Sequence, residues 1–378
     1  MSKKRGNRKE QAAGPTGTTD SGHQMRCSRG WLVAFALLLS AGLAGPAAGA
    51  DDRAGAKLFD SGKPLDVVLQ LPWQAIVTDE FFYQGGYPSE LEYSDEAGKQ
   101  ISFAMETERR GKSRQVICRY PPIKLRFNKS VVNGTLFEGQ KSLKLVTHCN
   151  KGARFEQYQV LEALAYRMYN IVTDVSFRIR PLSVTYVDSD SGKKDGPRFA
   201  FLVEDDGALA RRNGLKKLKV PALSAEQMEP EEASKLALFQ YMIGNTAWSL
   251  SPSASGGNCC DNLELLKRDS GQGQVYAVPN DFDSSGLVNA PYATPAAGIQ
   301  AGNVRERVFL GSCAHKATLE QARLLFLEKQ AAIRAMVENE PFLNDESRSS
   351  TLAFLDPFFE ILADPAQFEA RVSSHCRP

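Results

Sequence analysis

Two carboxylates follow directly after an apolar stretch in the second half of the chain. The stretch Val275–Val278 is followed by Asn280, Asp281, Phe282 and Asp283, so the two acids stand two residues apart. Carboxylates placed just beyond a strand can hold a divalent cation or orient a hydroxyl group. The alternative is an Asx turn in which both acids are solvated. The residues alone leave these two interpretations open.

A second candidate group combines a lysine with a glutamate. Lys144 lies between Leu143 and Leu145, in a stretch that alternates like a half-buried strand, and Glu162 lies on the helix expected after it. On a sheet that faces a nucleotide, Lys144 could pair with phosphates and Glu162 could reach the lysine. The alternatives are a solvated lysine on an edge strand and an exposed glutamate on a helix surface.

Two other metal- or phosphate-binding patterns are weaker. The stretch from Gly134 to Ser142 nearly spells a phosphate-binding loop, but one residue separates Gly139 from Lys141 and the sequence that follows is strand-like. A hairpin turn is therefore favoured there. A zinc site is disfavoured because the chain has no C-x-x-C pair and its histidines after residue 50 are scattered singly.

The elements that must position these residues change from strand-like to helical along the chain. Short apolar or alternating stretches predict strands, and apolar positions three or four residues apart predict helices. Glu229-Pro230-Glu231 predicts a helix start with proline in the first turn, and Thr318 to Gln321 predicts a capping box. The predicted strands lie within 65–127 and at 143–146, 183–187, 199–203, 263–266 and 275–278, and the predicted helices at 154–172, from 229, at 318–339 and at 347–363.

This order predicts an α+β protein rather than a regular βαβ alternation. We expect a β-rich N-terminal lobe with one helix over residues 51–205. A mainly helical C-terminal lobe over 206–378 would carry the metal-site hairpin.

The order of several short motifs resembles the CotH-type atypical protein kinases, which are distantly similar to HipA-like and protein-kinase-like folds. The resemblance covers roughly residues 105–310. No single motif is specific, and their succession carries the resemblance. The matching stretches are Arg110-Gly111-Lys112-Ser113-Arg114, Pro121–Phe127, Ser142–Val146, Leu161–Asn170, Phe201–Asp205, Tyr241–Thr246, Asp261–Leu263 and Val278–Asp283.

The resemblance implies a bilobal, protein-kinase-like fold and a role for each matching residue. Lys144 would hold the phosphates of ATP, and Glu162 would brace it. Glu204 and Asp205 would lie at the adenine-binding hinge. Asn262 and Asp281 would coordinate Mg²⁺, with Asp283 nearby.

The expected catalytic base is missing from the position that the resemblance indicates. The family places an aspartate two residues after the Asn-Thr stretch, where this chain has Ala247. An alanine has no proton acceptor. Asp261 is the residue that could substitute for it. The sequence therefore predicts either an atypical kinase acting on a protein or envelope component, or a catalytically inactive exported binding module.

The N-terminus and the cysteines predict export. Residues 25–50 contain a basic, an apolar and a small-residue zone in that order, which is typical of a signal peptide, and residues 1–24 form a polar extension. Six cysteines follow, and an even number in an exported chain indicates disulfides. We expect the adjacent Cys259 and Cys260 to bond to two different partners. No later segment is long and apolar enough to cross a membrane.

The charge balance gives no reason to expect nucleic-acid binding. The chain has 46 basic and 44 acidic residues, for a formal net charge of +2. Seven of the bases and two of the acids lie in the first 50 residues, which leaves the remainder mildly acidic. A mildly acidic surface does not attract a phosphate backbone.

Overall fold

The structure is a computed structural model that describes residues 57–78, 85–110, 118–251, 259–268 and 273–378. The predicted signal peptide, the extension before it, most of the Ser/Gly-rich loop at 251–258 and the turn at 269–271 lie outside these ranges. The strands are β1 (Leu65–Leu71), β2 (Tyr87–Ser94), β3 (Gln100–Arg109), β4 (Ile123–Arg126), β5 (Ser142–Val146), β6 (Ile179–Asp188), β7 (Lys194–Val203), β8 (Lys216–Lys217), β9 (Leu263–Lys267) and β10 (Val275–Pro279).

The helices concentrate in the second half of the chain. They are α1 (Trp73–Thr78), α2 (Ala153–Val172), α3 (Asp206–Arg212), α4 (Pro230–Met242), α5 (Lys316–Glu338), α6 (Asp345–Ala363) and α7 (Pro365–Arg371). None of the helices in the described part of the chain has both the length and the apolar character needed to cross a bilayer.

The first seven strands form a closed barrel in the order β1-β2-β3-β4-β5-β7-β6. All neighbours are antiparallel except β1 and β6, which pair in parallel from Leu65 with Leu182 to Leu71 with Asp188. The predicted bilobal, kinase-like fold is therefore wrong, because the β-rich part of the chain closes into a barrel. The reason is the long-range pairing of β1 with β6, which removes both free edges of the sheet.

Strand β7 separates two cores because successive side chains point to opposite faces of a strand. Ala200 and Leu202 face the interior of the barrel, where they join apolar side chains from the other strands. Phe199, Phe201 and Val203 face outward into the larger core, which they share with α2. β7 is thus buried on both faces where it joins the barrel to the helical layer, and Val146 of β5 and Ile179 of β6 also reach the larger core.

The helical layer is built around α5, which packs against α2, α4 and α6. Its centre contains fully buried aromatic rings, and Phe326 lies 5.8 Å from Phe358 between ring centroids. A small antiparallel sheet of order β10-β9-β8 packs beside α4 with an apolar core of its own. The α+β composition predicted from the sequence is confirmed, although its architecture is a barrel with a helical layer.

Most of the predicted elements are confirmed, with small changes at their ends. Helix α2 spans 153–172, and Pro230 is the first residue of α4, whose N-cap Glu229 accepts a hydrogen bond from the Glu232 amide at 2.7 Å. The predicted capping box at Thr318 is wrong because α5 already begins at Lys316. The Thr318 hydroxyl instead donates to the Pro230 carbonyl at 2.9 Å and ties α5 to the start of α4.

Six cysteines form three disulfides, which is compatible with export. Cys118 bonds to Cys149, and Cys313 bonds to Cys376. Cys259 and Cys260 bond to each other, so the expectation that they have two different partners is wrong. The Cys313–Cys376 disulfide holds the end of the chain where Arg377 also exchanges backbone hydrogen bonds with Gly311 and Cys313.

Candidate functional site

Lys144 points away from the barrel interior because its neighbours on β5 point into it. Leu143 and Leu145 belong to the barrel core, and strand periodicity places Lys144 on the opposite face. Lys144 pairs in register with Lys124 on one side and with Val203 on the other. The side chain is accessible to solvent, yet it lies where the barrel meets the helical layer and the small sheet.

Four charged residues act on Lys144. Burial by the surrounding protein lowers the pKa of its ammonium group, and the charge of Arg110 lowers this pKa further. Asp281, Asp206 and Glu264 act in the opposite direction. Lys144 is thus exposed to solvent, and charged residues from several other elements lie near enough to act on it. We call the region formed by Lys144, Asp281, Asn262, Asp206 and Glu264 the Lys144 cleft.

Tyr166 of α2 holds the Asp281 turn in place. The Asp281 backbone N–H donates to the Tyr166 hydroxyl oxygen at 2.9 Å, and Asp281 adopts a positive φ of 60°. The buried side chain of Phe282 packs edge-on against the Tyr166 ring at 4.7 Å. Burial raises the pKa of the Tyr166 hydroxyl, and the charges of Glu162 and Asp281 raise it further. The hydroxyl therefore stays protonated and can act as a donor as well as an acceptor.

Asn262 lies beside the Asp281 turn because β9 and β10 pair at this end of the small sheet. The Asn280 backbone N–H donates to the Asn262 carbonyl at 3.0 Å. The Asn262 side-chain amide donates to the carbonyl of Ala247 at 2.7 Å. This bond fixes the amide nitrogen and leaves Oδ1 as the atom of the side chain that can ligate a cation.

The acidic side of the cleft is partly neutralised by Lys217. This lysine forms an ion pair with Asp206 and a second one with Glu264 at 3.8 Å. Burial acts to raise the pKa of Asp206, but the hydrogen bond and charge of Lys217 outweigh it and lower that pKa. Burial raises the pKa of Glu264, and the nearby charge of Asp206 adds to this effect. Asp206 and Glu264 therefore lie close to each other, and Lys217 offsets part of their negative charge.

The predicted hinge residues serve the scaffold. Glu204 is buried and accepts two hydrogen bonds from Arg212, at 3.1 and 2.9 Å, and one from the Arg178 amide at 3.1 Å. Asp205 caps α3 by accepting from the amides of Gly207 and Ala208. Both side chains are thus engaged in joining β7 to α3.

The remaining predicted residues are distributed around the cleft. Glu162 is buried one helical turn before Tyr166, and the charges acting most strongly on Lys144 do not include it. Asp283 is buried and accepts from the Tyr292 hydroxyl at 3.2 Å and from the Ser284 hydroxyl at 3.1 Å. Asp261 is half-buried and exchanges backbone hydrogen bonds with Ser249, two residues after Ala247.

Sequence reasoning missed two members of the Lys144 cleft, Asp206 and Glu264, and two residues that contact its members, Lys217 and Tyr166. Two signals pointed toward them. Tyr166 stands four residues after Glu162, which places both on one face of α2, and Asp206 adjoins the predicted Asp205. No local pattern indicates that Lys217 and Glu264 meet, because their contact depends on the pairing of β8 with β9.

The oxygen donors of the cleft suit a Mg²⁺ ion whose remaining ligands would be waters and the phosphates of a bound molecule. In the part of the chain that the structure describes, no group of three or more His, Cys, Asp or Glu side chains is arranged to hold a metal ion. Mg²⁺ keeps several waters and is commonly bound by one or two carboxylates together with substrate phosphates. The Asp281 carboxylate and Asn262 Oδ1 match that incomplete protein shell.

Comparisons with known proteins assign no family to the chain. No protein-family model matches it, and a search of curated proteins finds no match. The resemblance to CotH-type kinases therefore stays a prediction that rests on the motifs given above.

Proposed function

We propose that this protein is an exported module that binds the phosphate groups of a Mg²⁺-nucleotide in the Lys144 cleft. The proposal is supported by an exposed lysine, Lys144, on which the charges of Asp281, Asp206 and Glu264 act, with Asn262 at the strand end beside Asp281. A cation beside an accessible ammonium group is the combination that recognises a polyphosphate. The proposal depends on this local chemistry and not on a kinase-like fold.

Each residue of the cleft has a distinct part in such binding. Lys144 would donate to phosphate oxygens, and Asp281 with Asn262 Oδ1 would hold Mg²⁺. Tyr166 positions Asp281 through the backbone hydrogen bond at 2.9 Å. The bound Mg²⁺ would supply the positive charge that lets phosphates approach Asp206 and Glu264. Without it, the carboxylates would repel an anionic ligand.

A second candidate function, phosphoryl transfer to a protein or envelope component, is favoured by the position of Asp261. Asn262 bonds to the Ala247 carbonyl, and the backbone of Asp261 pairs with that of Ser249, two residues after the position that lacks a proton acceptor. Asp261 would accept the proton of the acceptor hydroxyl. The oxygen of that hydroxyl would bond to the γ-phosphorus as the bond between this phosphorus and the nucleoside diphosphate breaks.

The binding proposal is tested by calorimetric titration of the mature protein with ATP in the presence of Mg²⁺. We expect saturable binding that EDTA abolishes. Lys144→Met and Asp281→Asn should each weaken it at least tenfold, and the matched control Lys141→Met, an exposed lysine on the same segment, should bind like the wild type. Unchanged affinity in Lys144→Met would overturn the proposal.

Phosphoryl transfer is tested separately with γ-labelled ATP and the protein itself as acceptor. If Asp261 is the base, Asp261→Asn should retain ATP binding and lose label transfer, whereas Asp281→Asn should lose both. Transfer that persists in Asp261→Asn would contradict the role of Asp261, and a wild type that binds without transferring label would leave the binding module as the function.

A further inference from the structure

A cavity elsewhere on the protein shares no residue with the Lys144 cleft. Its volume is about 730 Å³, and it lies between α1, the β6–β7 hairpin and the segments around Tyr120 and His148. Cavities of this size bury much of the surface of a small organic ligand. Its binding properties can therefore be considered independently of the nucleotide proposal.

One wall of the cavity is aromatic. Trp73 lies 5.2 Å from Tyr120 and 5.5 Å from Tyr186, measured between ring centroids. The His148 ring lies 4.6 Å from Tyr120 and 5.9 Å from Tyr186. Tilted rings at these separations form a wall onto which another planar ring can pack.

His148 contributes a polar atom that lacks a partner. Its side chain is 2 % exposed, and its Nε2 makes no hydrogen bond to any residue that the structure describes. Its Nδ1 lies 3.2 Å from the Thr147 hydroxyl oxygen, which lies 2.6 Å from the Tyr186 hydroxyl. A buried polar atom without a partner costs free energy, so a ligand that bonds to it gains that amount.

The hydrogen-bond chain from Tyr186 through Thr147 to Nδ1 bears on whether Nε2 carries the imidazole proton. Tyr186 is buried, and in the arrangement that gives its hydroxyl proton an acceptor, its O–H donates to the Thr147 oxygen. The Thr147 hydroxyl is then free to donate to His148 Nδ1. A neutral imidazole that accepts at Nδ1 carries its proton on Nε2. His148 therefore presents an N–H donor, which calls for an oxygen acceptor on the ligand.

The mouth of the cavity is cationic. Arg119, Lys151, Lys193 and Lys194 line it, are exposed, and form no ion pair with any described residue. Two of the three acids are already engaged, because Asp195 pairs with Arg198 at 2.9 Å and Asp188 accepts from the Trp73 amide at 3.0 Å. Asp190 is the third acid. The excess of positive charge favours binding of an anion and disfavours binding of a cation to the aromatic rings.

We propose that this cavity binds a small molecule that combines an aromatic ring with an acid group such as a carboxylate, sulfonate or phosphate. The ring would pack against Trp73, Tyr120 and Tyr186. An oxygen of the acid group would accept from His148 Nε2, and the rim cations would balance its charge. None of these contacts uses a residue of the Lys144 cleft.

Two fluorescent probes with the same ring system test the proposal. 8-Anilinonaphthalene-1-sulfonate carries an acid group, and N-phenyl-1-naphthylamine does not. We expect the sulfonate to bind one site per protein and at least tenfold more tightly than the amine. Energy transfer from Trp73 should accompany binding and persist in Trp248→Phe, which keeps Trp73. Equal affinity for both probes, or no saturable binding of the sulfonate, would overturn the proposal.

Variants separate this site from other apolar surfaces. Lys193→Ala/Lys194→Ala changes exposed residues only and should weaken sulfonate binding at least tenfold, as should His148→Leu. The control Lys57→Ala/Lys63→Ala removes two exposed lysines elsewhere and should bind like the wild type. Lys144→Met should also bind like the wild type, so failure of the nucleotide proposal leaves this one intact. Wild-type affinity in both cavity variants would refute the assignment.

Discussion

Lowering the pH should destabilise the protein through His148. Burial lowers the pKa of this imidazole to about 4 from its ordinary value of 6.5, with smaller effects from the charges of Arg198, Asp195 and Lys151. The unfolded chain then binds a proton more readily than the folded one between these two pH values. Stability contributed by the neutral imidazole is present above pH 6.5 and is lost as the pH falls toward 4.

The size of the effect follows from the separation of the two pKa values. It corresponds to about 3 kcal/mol of unfolding free energy at the acid limit, of which about 2 kcal/mol is lost between pH 7 and pH 5. The assay is urea denaturation at pH 7, 6 and 5, with His148→Asn as the variant that cannot titrate. The difference in unfolding free energy between wild type and His148→Asn should shift by about 2 kcal/mol over this range.

A control variant isolates His148 from the carboxylates that also titrate in acid. His375→Asn removes an exposed imidazole near the end of the chain, and this variant should follow the wild-type pH profile. The reasoning is refuted if wild type and His148→Asn lose stability in parallel between pH 7 and pH 5. Parallel loss would mean that His148 accepts its proton in the folded protein as easily as in the unfolded one.

Three further predictions concern the scaffold. Glu204→Gln breaks the buried ion pair that joins β7 to α3 and should cost about 3 kcal/mol in urea denaturation; a cost below 1 kcal/mol would contradict that role. Replacing both Cys313 and Cys376 by alanine opens a loop with a sequence separation of 63 and should lower the unfolding free energy by about 4 kcal/mol in urea denaturation. Gly286→Ala puts a Cβ against a neighbouring backbone carbonyl and should lower the unfolding free energy by about 1–3 kcal/mol, measured as a lower Tm. Gly98→Ala is the comparison, because its Cβ would meet no neighbouring atom and only the positive φ of this residue would be strained.

The local elements could be predicted because their signals are local. The spacing of the apolar residues in α2 shows its buried face, and a proline is favoured in the first turn of a helix, so Pro230 predicts where α4 begins. The closure of the barrel could not be predicted in this way. The alternation in β1 shows a strand with one buried face, but nothing in those seven residues says that the neighbour is β6.

The candidate site shows the same division. Lys144 and Asp281 were predicted by residue type and position, and in the structure the charge of Asp281 acts to raise the pKa of Lys144. The dipeptide Asp205-Asp206 shows why other roles could not be assigned. Asp205 caps a helix, and Asp206 faces the cleft, although the two are chemically identical neighbours. The direction in which each side chain points depends on where α3 begins, which the sequence does not fix.

The parallel pairing of β1 with β6 has a consequence for how the chain folds. β1 obtains its second neighbour only when a segment more than one hundred residues downstream arrives. Contacts of such high sequence separation form slowly, and until then both margins of the meander expose unpaired amides and carbonyls. A newly synthesised chain would remain open over this whole interval. Quality-control factors that recognise extended apolar strands would have their longest opportunity to act on it before the seam closes.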